Sequence, residues 1–148
     1  MAGPLMHTVS IEADANRIYE ALSTTKGLAS FWTADSHAEP KVGSIAKFGF
    51  HGPVLEMRVD ALEPGKRVRW STHGGFPEWN GTSVTWDIKP AKDGGHEVTF
   101  NHEGWPAELP AKDLASVNYT WGRVVGRLKK YAETGKPGPF FPIHFAAR

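Results

Sequence analysis

The sequence predicts an α+β domain: a curved antiparallel sheet of six to seven strands wrapped around one long C-terminal helix, with two short helices after the first strand. Three observations carry this. Turn signals at Lys41-Val42-Gly43, Gly52-Pro53, Glu63-Pro64-Gly65-Lys66, Gly74-Gly75-Phe76-Pro77 and Asp93-Gly94-Gly95 punctuate the middle of the chain as they do consecutive short strands. The stretches between them split by period two into an apolar and a polar set, the pattern of a sheet with one covered and one wet face. A single long segment, 111–134, instead carries apolar residues at three- and four-residue steps.

Taken in order, Leu5, Val9 and Ile11 alternate with Thr8, Ser10 and Glu12 to give the first strand. Asp14 can accept a backbone N–H and cap a short helix whose Ile18 and Leu22 share one face. A second short helix fits Thr25 to Trp32, with Leu28, Phe31 and Trp32 inward. The inward sets of the following strands are Ala46/Phe48/Phe50, Leu55/Met57/Val59/Ala61, Val68/Trp70, Val84/Trp86/Ile88 and Val98/Phe100. Pro64-Gly65 suits the centre of a type II turn, and Gly74-Gly75 and Gly94-Gly95 read as hairpin turns. Leu114, Val117, Trp121, Val124, Val125 and Leu128 form the inner face of the last helix, which Gly135 stops.

Composition narrows the function classes. The chain has 148 residues, enough for one domain with its own core, and its zero cysteines exclude disulfides, thiolate metal sites and cysteine nucleophiles. Lys+Arg number 17 against 16 Asp+Glu, so there is no global field to recruit nucleic acid. No apolar stretch approaches a membrane span, and Met1 to His7 lack the pattern of a signal peptide, so a soluble, cytoplasmic protein is expected. Six Trp, eight Phe and three Tyr are many rings for this length.

Several stretches carry a family resemblance. They are Val9-x-Ile11-x-Ala13-Asp14-Ala15-x-x-Ile18-Tyr19-x-Ala21-Leu22, then Leu28-x-x-Phe31-Trp32, Thr82-Ser83-Val84-Thr85-Trp86, Glu97 to Trp105, and Trp121-x-x-Val124-x-x-x-Leu128-Lys129-x-Tyr131-x-Glu133-x-Gly135. In this order they resemble the helix-grip fold of the START-like, or SRPBCC, superfamily, and within it the Hsp90-ATPase-activator-homologue branch. The resemblance spans Leu5 to Gly135. It implies a cavity between sheet and helix, of the kind the superfamily uses for lipids, sterols, hormones and polyketide intermediates. The branch's eukaryotic co-chaperones contact Hsp90 through a protein with an additional N-terminal domain, which is not expected in these 148 residues.

The expected binding residues are Phe31, Trp32, Phe48, Phe50, Met57, Trp70, Trp86, Phe100 and Trp121, which either line a pocket or fill the interior. His7, His102 and Thr72 are the polar departures on the covered face. If the first and last strands pair, His7 and His102 become cross-strand neighbours able to orient a polar group, relay a proton or hold a metal with a third donor; otherwise both are solvated. No other histidines show metal-ligand spacing and no G-x-S-x-G elbow occurs, so no catalytic residue, metal or cofactor is assigned. Arg123, Arg127 and Lys130 share one helix face, which reads as solvated. Residues 1–136 form the START-like domain. Residues 137–148, with Phe140, Phe141, Ile143 and Phe145, form an apolar tail that packs back on the domain or against a second copy, in a monomer or a homodimer. The leading function is non-catalytic binding of a small apolar or amphipathic molecule. The alternatives are a chaperone-modulating interaction protein and a cyclase- or hydrolase-like enzyme using the same cavity.

Overall fold

The structure, a computed structural model, describes residues 3–142. Ile143 and Phe145 of the apolar tail lie outside the described residues. Seven strands form one antiparallel sheet in the order β1-β7-β6-β5-β4-β3-β2: β1 (Leu5–Ile11), β2 (Ser36–His37), β3 (Ile45–Gly49), β4 (Val54–Glu63), β5 (Arg67–Gly74), β6 (Ser83–Pro90) and β7 (His96–Glu103). Helices α1 (Ala15–Ser23) and α2 (Thr25–Phe31) follow β1, and α3 (Ala111–Thr134) crosses the covered face. No helix among the described residues is long and apolar enough to cross a membrane.

Local chemistry sets the boundaries. The Asp14 carboxylate accepts the Arg17 N–H at 2.8 Å and starts α1. Thr24 does the same for α2 through the Gly27 N–H, at 3.0 Å. Trp32, expected inside that helix, is its C-cap, with its ring swung into the core. Gly65 has φ 74° and the Lys66 N–H reaches Glu63 O at 2.9 Å, as a type II turn requires. Gly135 ends α3 in the left-handed conformation.

Three departures bear on the site. β4 is bulged, so that Val59 faces Trp70 but Ala61 faces Arg69, and the inward parity passes from Ala61 to Leu62 opposite Val68. The two-residue strand β2 extends the sheet beyond β3. Finally, Gly74-Gly75-Phe76-Pro77 is not a tight hairpin: a single 3₁₀ turn, Pro77–Trp79, is inserted there and carries Trp79 into the interior. Gly75 (φ 95°) permits this because a Cβ at that position would stand 1.8 Å from Val54 O.

The segment after α3 returns along the end of α2. Gly138, Phe140 and Phe141 donate their N–H groups to the carbonyls of Ser30, Phe31 and Trp32, and the Ala34 N–H donates to Phe141 O at 2.9 Å. This strap of residues 138–141 forms a parallel bridge at Thr33 and Phe141. Arg127 on α3 fastens it, donating to Gly138 O at 2.9 Å with its guanidinium 5.9 Å from the Phe140 ring centre.

Candidate functional site

The covered face of the sheet concentrates rings because the inward positions of β3, β5, β6 and β7 carry Phe48, Trp70, Trp86 and Phe100. Two indoles organise them. Trp32 stacks on Trp70 (6.0 Å, planes 7° apart) and contacts Phe48 at 4.4 Å and Trp121 at 4.9 Å. Trp121, at the middle of α3, lies 4.4 Å from Phe100 and 6.1 Å from Trp79. The helix is thus docked by one large ring inserted between two layers of others, a geometry that ring quadrupoles favour over face-to-face stacking.

On the α3 side of this wall lies a hollow of about 240 Å³, lined by Trp32, Phe50, Phe76, Trp79, Ser116, Val117, Thr120, Trp121 and Phe141. Each side comes from a different part of the chain: the end of α2, the loops around the 3₁₀ turn, one flank of α3 and the strap. Six of its nine lining residues are aromatic, with hydroxyls from Ser116 and Thr120. Of the nine apolar residues the sequence put forward, Trp32, Phe50 and Trp121 border this hollow. Phe31, Phe48, Met57, Trp70, Trp86 and Phe100 are packed behind it, each 2 % exposed or less. Phe76, Trp79, Val117 and Phe141 were not among the expected lining residues. The signal for Trp79 was its Phe76-Pro77-Glu78-Trp79 context, since a proline entering a one-turn helix can bring the indole back over the sheet.

Behind Trp79 and Trp121 sits His102, fully buried and surrounded by rings, with Trp105 at 4.2 Å and Trp79 at 4.6 Å. Its tautomer follows from its partners. The Trp121 indole N–H can only donate, and it reaches His102 Nδ1 at 3.1 Å, so Nδ1 is the acceptor and Nε2 carries the proton. Nε2–H then donates to Thr82 Oγ1 at 2.9 Å, and the Thr82 hydroxyl donates to Trp79 O at 2.7 Å. Thr72 Oγ1 adjoins Thr82 Oγ1 at 3.0 Å. Burial lowers the His102 pKa to about 3, so the ring is neutral at physiological pH. The chain of bonds ties together Trp79 and Trp121, two of the three indoles that line the hollow.

The expected pairing of His7 with His102 does not form. In the β1–β7 register His7 stands opposite Phe100, and His102 opposite Leu5. His7 Nε2–H donates instead to Asn118 Oδ1 of α3 at 2.9 Å, at the margin of the sheet. Nor is His102 solvated. Of the three polar departures on the covered face, Thr72 and His102 join one network through Thr82, and His7 stands apart. Among the described residues no group of three or more His, Asp or Glu is placed to hold a metal ion.

A long helix gripped by a seven-stranded antiparallel sheet, with two short helices after the first strand and a ring-lined hollow at their junction, defines a helix-grip domain of the START-like (SRPBCC) superfamily. Residues 12–133 match the family described as Activator of Hsp90 ATPase homolog 1-like protein, and the chain belongs to that family. Among solved structures it is similar to the Aha1 dimer from Colwellia psychrerythraea (31% identity, TM-score 0.81, covering 91% of this chain and 99% of that one). It is also similar to DynU16, a putative protein in the dynemicin biosynthetic locus (25% identity, TM-score 0.76, covering 96% of this chain and 51% of that one). The major latex-like protein 151 of Panax ginseng shares the fold at 16% identity (TM-score 0.69, covering 88% of this chain and 97% of that one). No curated protein matches the chain.

Proposed function

We propose that this domain binds a small apolar or amphipathic molecule in the hollow between Trp32, Phe76, Trp79, Trp121 and Phe141. The observation that carries the reading is that hollow: about 240 Å³ of space walled by six aromatic side chains and reached without disturbing the interior. Enclosed apolar clefts with few polar groups are the usual form of a small-molecule site. Removing apolar surface from water contributes about 25 cal/mol per Å², so burial of a ring body against these side chains supplies the driving force, offset by the cost of association. Phe31, Phe48, Met57, Trp70, Trp86 and Phe100 form the buried backing of this wall, and the cytoplasm is the compartment in which it would act.

Native mass spectrometry of freshly purified protein, compared with the denatured chain, tests the reading. A retained or titratable apolar molecule is expected, with Trp79→Ala weakening its binding about tenfold or more. A chain that retains nothing and takes up no apolar probe would remove the proposal. A second reading, modulation of an Hsp90-type chaperone, draws on the family and on the similarity to the Aha1 dimer. It predicts stimulation of an Hsp90-type ATPase that survives Trp79→Ala, because a surface contact does not depend on the hollow.

A further inference from the structure

We infer that the molecule this domain selects carries a neutral hydroxyl on its apolar body, and that Thr120 and Ser116 of α3 read it. This rests on the ligand-binding reading above and adds the head group. None of the nine side chains lining the ring-walled hollow is charged, so an ionised head placed there would give up water and gain no counter-charge. The head is therefore neutral. Which neutral group it is follows from the two hydroxyls of the hollow, on Ser116 and Thr120.

Their hydrogen-bonding roles differ. Thr120 Oγ1 donates its proton to Ser116 O at 3.1 Å, so toward the hollow it can only accept. The Ser116 hydroxyl has no protein partner and is free to donate. The other serines and threonines of the three helices are all engaged. Ser23, Ser30 and Thr134 turn back onto the carbonyls four residues earlier, as Thr120 does, and Thr25 donates to Ala38 O. The one unpartnered helical hydroxyl among the described residues is thus one that borders the hollow.

Positions four apart on a helix face stand about 6 Å from each other. A single oxygen placed between them lies within hydrogen-bonding distance, about 2.8 Å, of both. It has to donate to Thr120 and accept from Ser116, and a hydroxyl does both at one atom. An ether or ketone oxygen accepts from Ser116 and leaves Thr120 unmet. A ring N–H donates to Thr120 and leaves Ser116 unmet. The order of preference follows: hydroxyl, then ether, then bare hydrocarbon.

Three probes with one ring system separate these contributions: 2-naphthol, 2-methoxynaphthalene and naphthalene, measured by equilibrium dialysis against the full chain near pH 7, where a phenol is neutral. 2-Naphthol is expected to bind about fivefold more tightly than its methyl ether, although the ether has more apolar surface, and the ether more tightly than naphthalene. Thr120→Val removes the acceptor and brings naphthol and ether to within about twofold of each other. Ser116→Ala removes the donor and closes the gap between ether and naphthalene. Thr120→Ser keeps the acceptor and preserves the preference for naphthol. Each comparison is a ratio within one protein, so a change of shape felt by all three probes cancels. If Thr120→Val takes up no probe, Thr120→Ala is read in its place by the same ratio. Equal affinity of naphthol and ether in the unsubstituted protein, or a preference that survives loss of the Thr120 hydroxyl, overturns the hydroxyl head and leaves the ligand reading standing. Binding of none of the three overturns both.

Discussion

His102 has no spare valence. Trp121 donates to one nitrogen, the other donates to Thr82, and rings occupy the remaining space. A second proton would sit on Nδ1, facing the Trp121 N–H, so protonation means breaking the bond that orients a wall of the hollow. Because the folded-state pKa is lowered to about 3 from the ordinary 6.5, the neutral ring favours folding, and that stability is complete above pH 6.5. As the pH falls below 6.5 the unfolded chain takes up the proton first and stability is lost, at about 1.4 kcal/mol per pH unit, until the folded protein also titrates. Denaturant unfolding at neutral pH and near pH 5 should therefore differ by about 2 kcal/mol from this residue. His102→Gln, which keeps one acceptor and one donor, should flatten that difference while lowering stability at neutral pH. An unchanged pH slope in the variant would relieve His102 of the role.

At the scale of elements, glycines show where helices touch. A Cβ on Gly27 of α2 would stand 2.4 Å from Ala21 Cα and 2.5 Å from Ala21 O, backbone atoms of α1 that have nowhere to go. Gly27→Ala should cost about 3 kcal/mol, at the upper end of overpacking penalties. Gly126 of α3 has nothing within 4 Å of its would-be Cβ, so there the substitution only adds helix propensity and should stabilise by up to about 1 kcal/mol. Thermal unfolding of the two variants must move in opposite directions; a common direction would contradict the packing described.

The same scale explains what the sequence disclosed. Elements whose signal is local were legible: α3 ends where its apolar period and Gly135 say it does, and the strands lie where the parity alternates. Those decided by distant partners were not. The bulge at Val59/Ala61 changes nothing in the alternation before it, and β2 is too short to have a period. Trp79 and Trp105 lie outside the alternating strand sets and yet are buried against His102, for which the alternation alone allowed either a partner in His7 or solvent. The pairing of His7 with His102 failed by one alternate position in the β1–β7 register, a shift no composition reveals.

Across the whole molecule, the two ends of the chain have unlike duties. β1 is an edge strand, and the backbone groups of Ser10 and of Glu12, one residue past its end, are covered by α3, where Lys129 donates to Ser10 O and Glu133 accepts the Glu12 N–H at 2.9 Å. Such covering keeps an edge from pairing with another sheet. The strap, in contrast, is held by a few backbone bonds and by Arg127 at one end of the hollow. Phe141→Ala should leave the unfolding transition within about 2 kcal/mol of the parent, since the side chain is only half-buried, yet weaken uptake of a naphthyl probe several-fold. Equal affinity in the variant would show that the strap only borders the hollow.

The strap also places the hollow in time. β1 waits for β7, about ninety residues downstream, before its ladder can form, and a chain folding as it is synthesised must carry that unpaired strand meanwhile. Trp32 and Trp121 can meet once α3 has been made, but Phe141 comes twenty residues after Trp121, so the last side of the hollow arrives after everything it encloses. A nascent chain of this family member thus passes through a stage in which the core is present and the hollow is still open on the side that Phe141 closes.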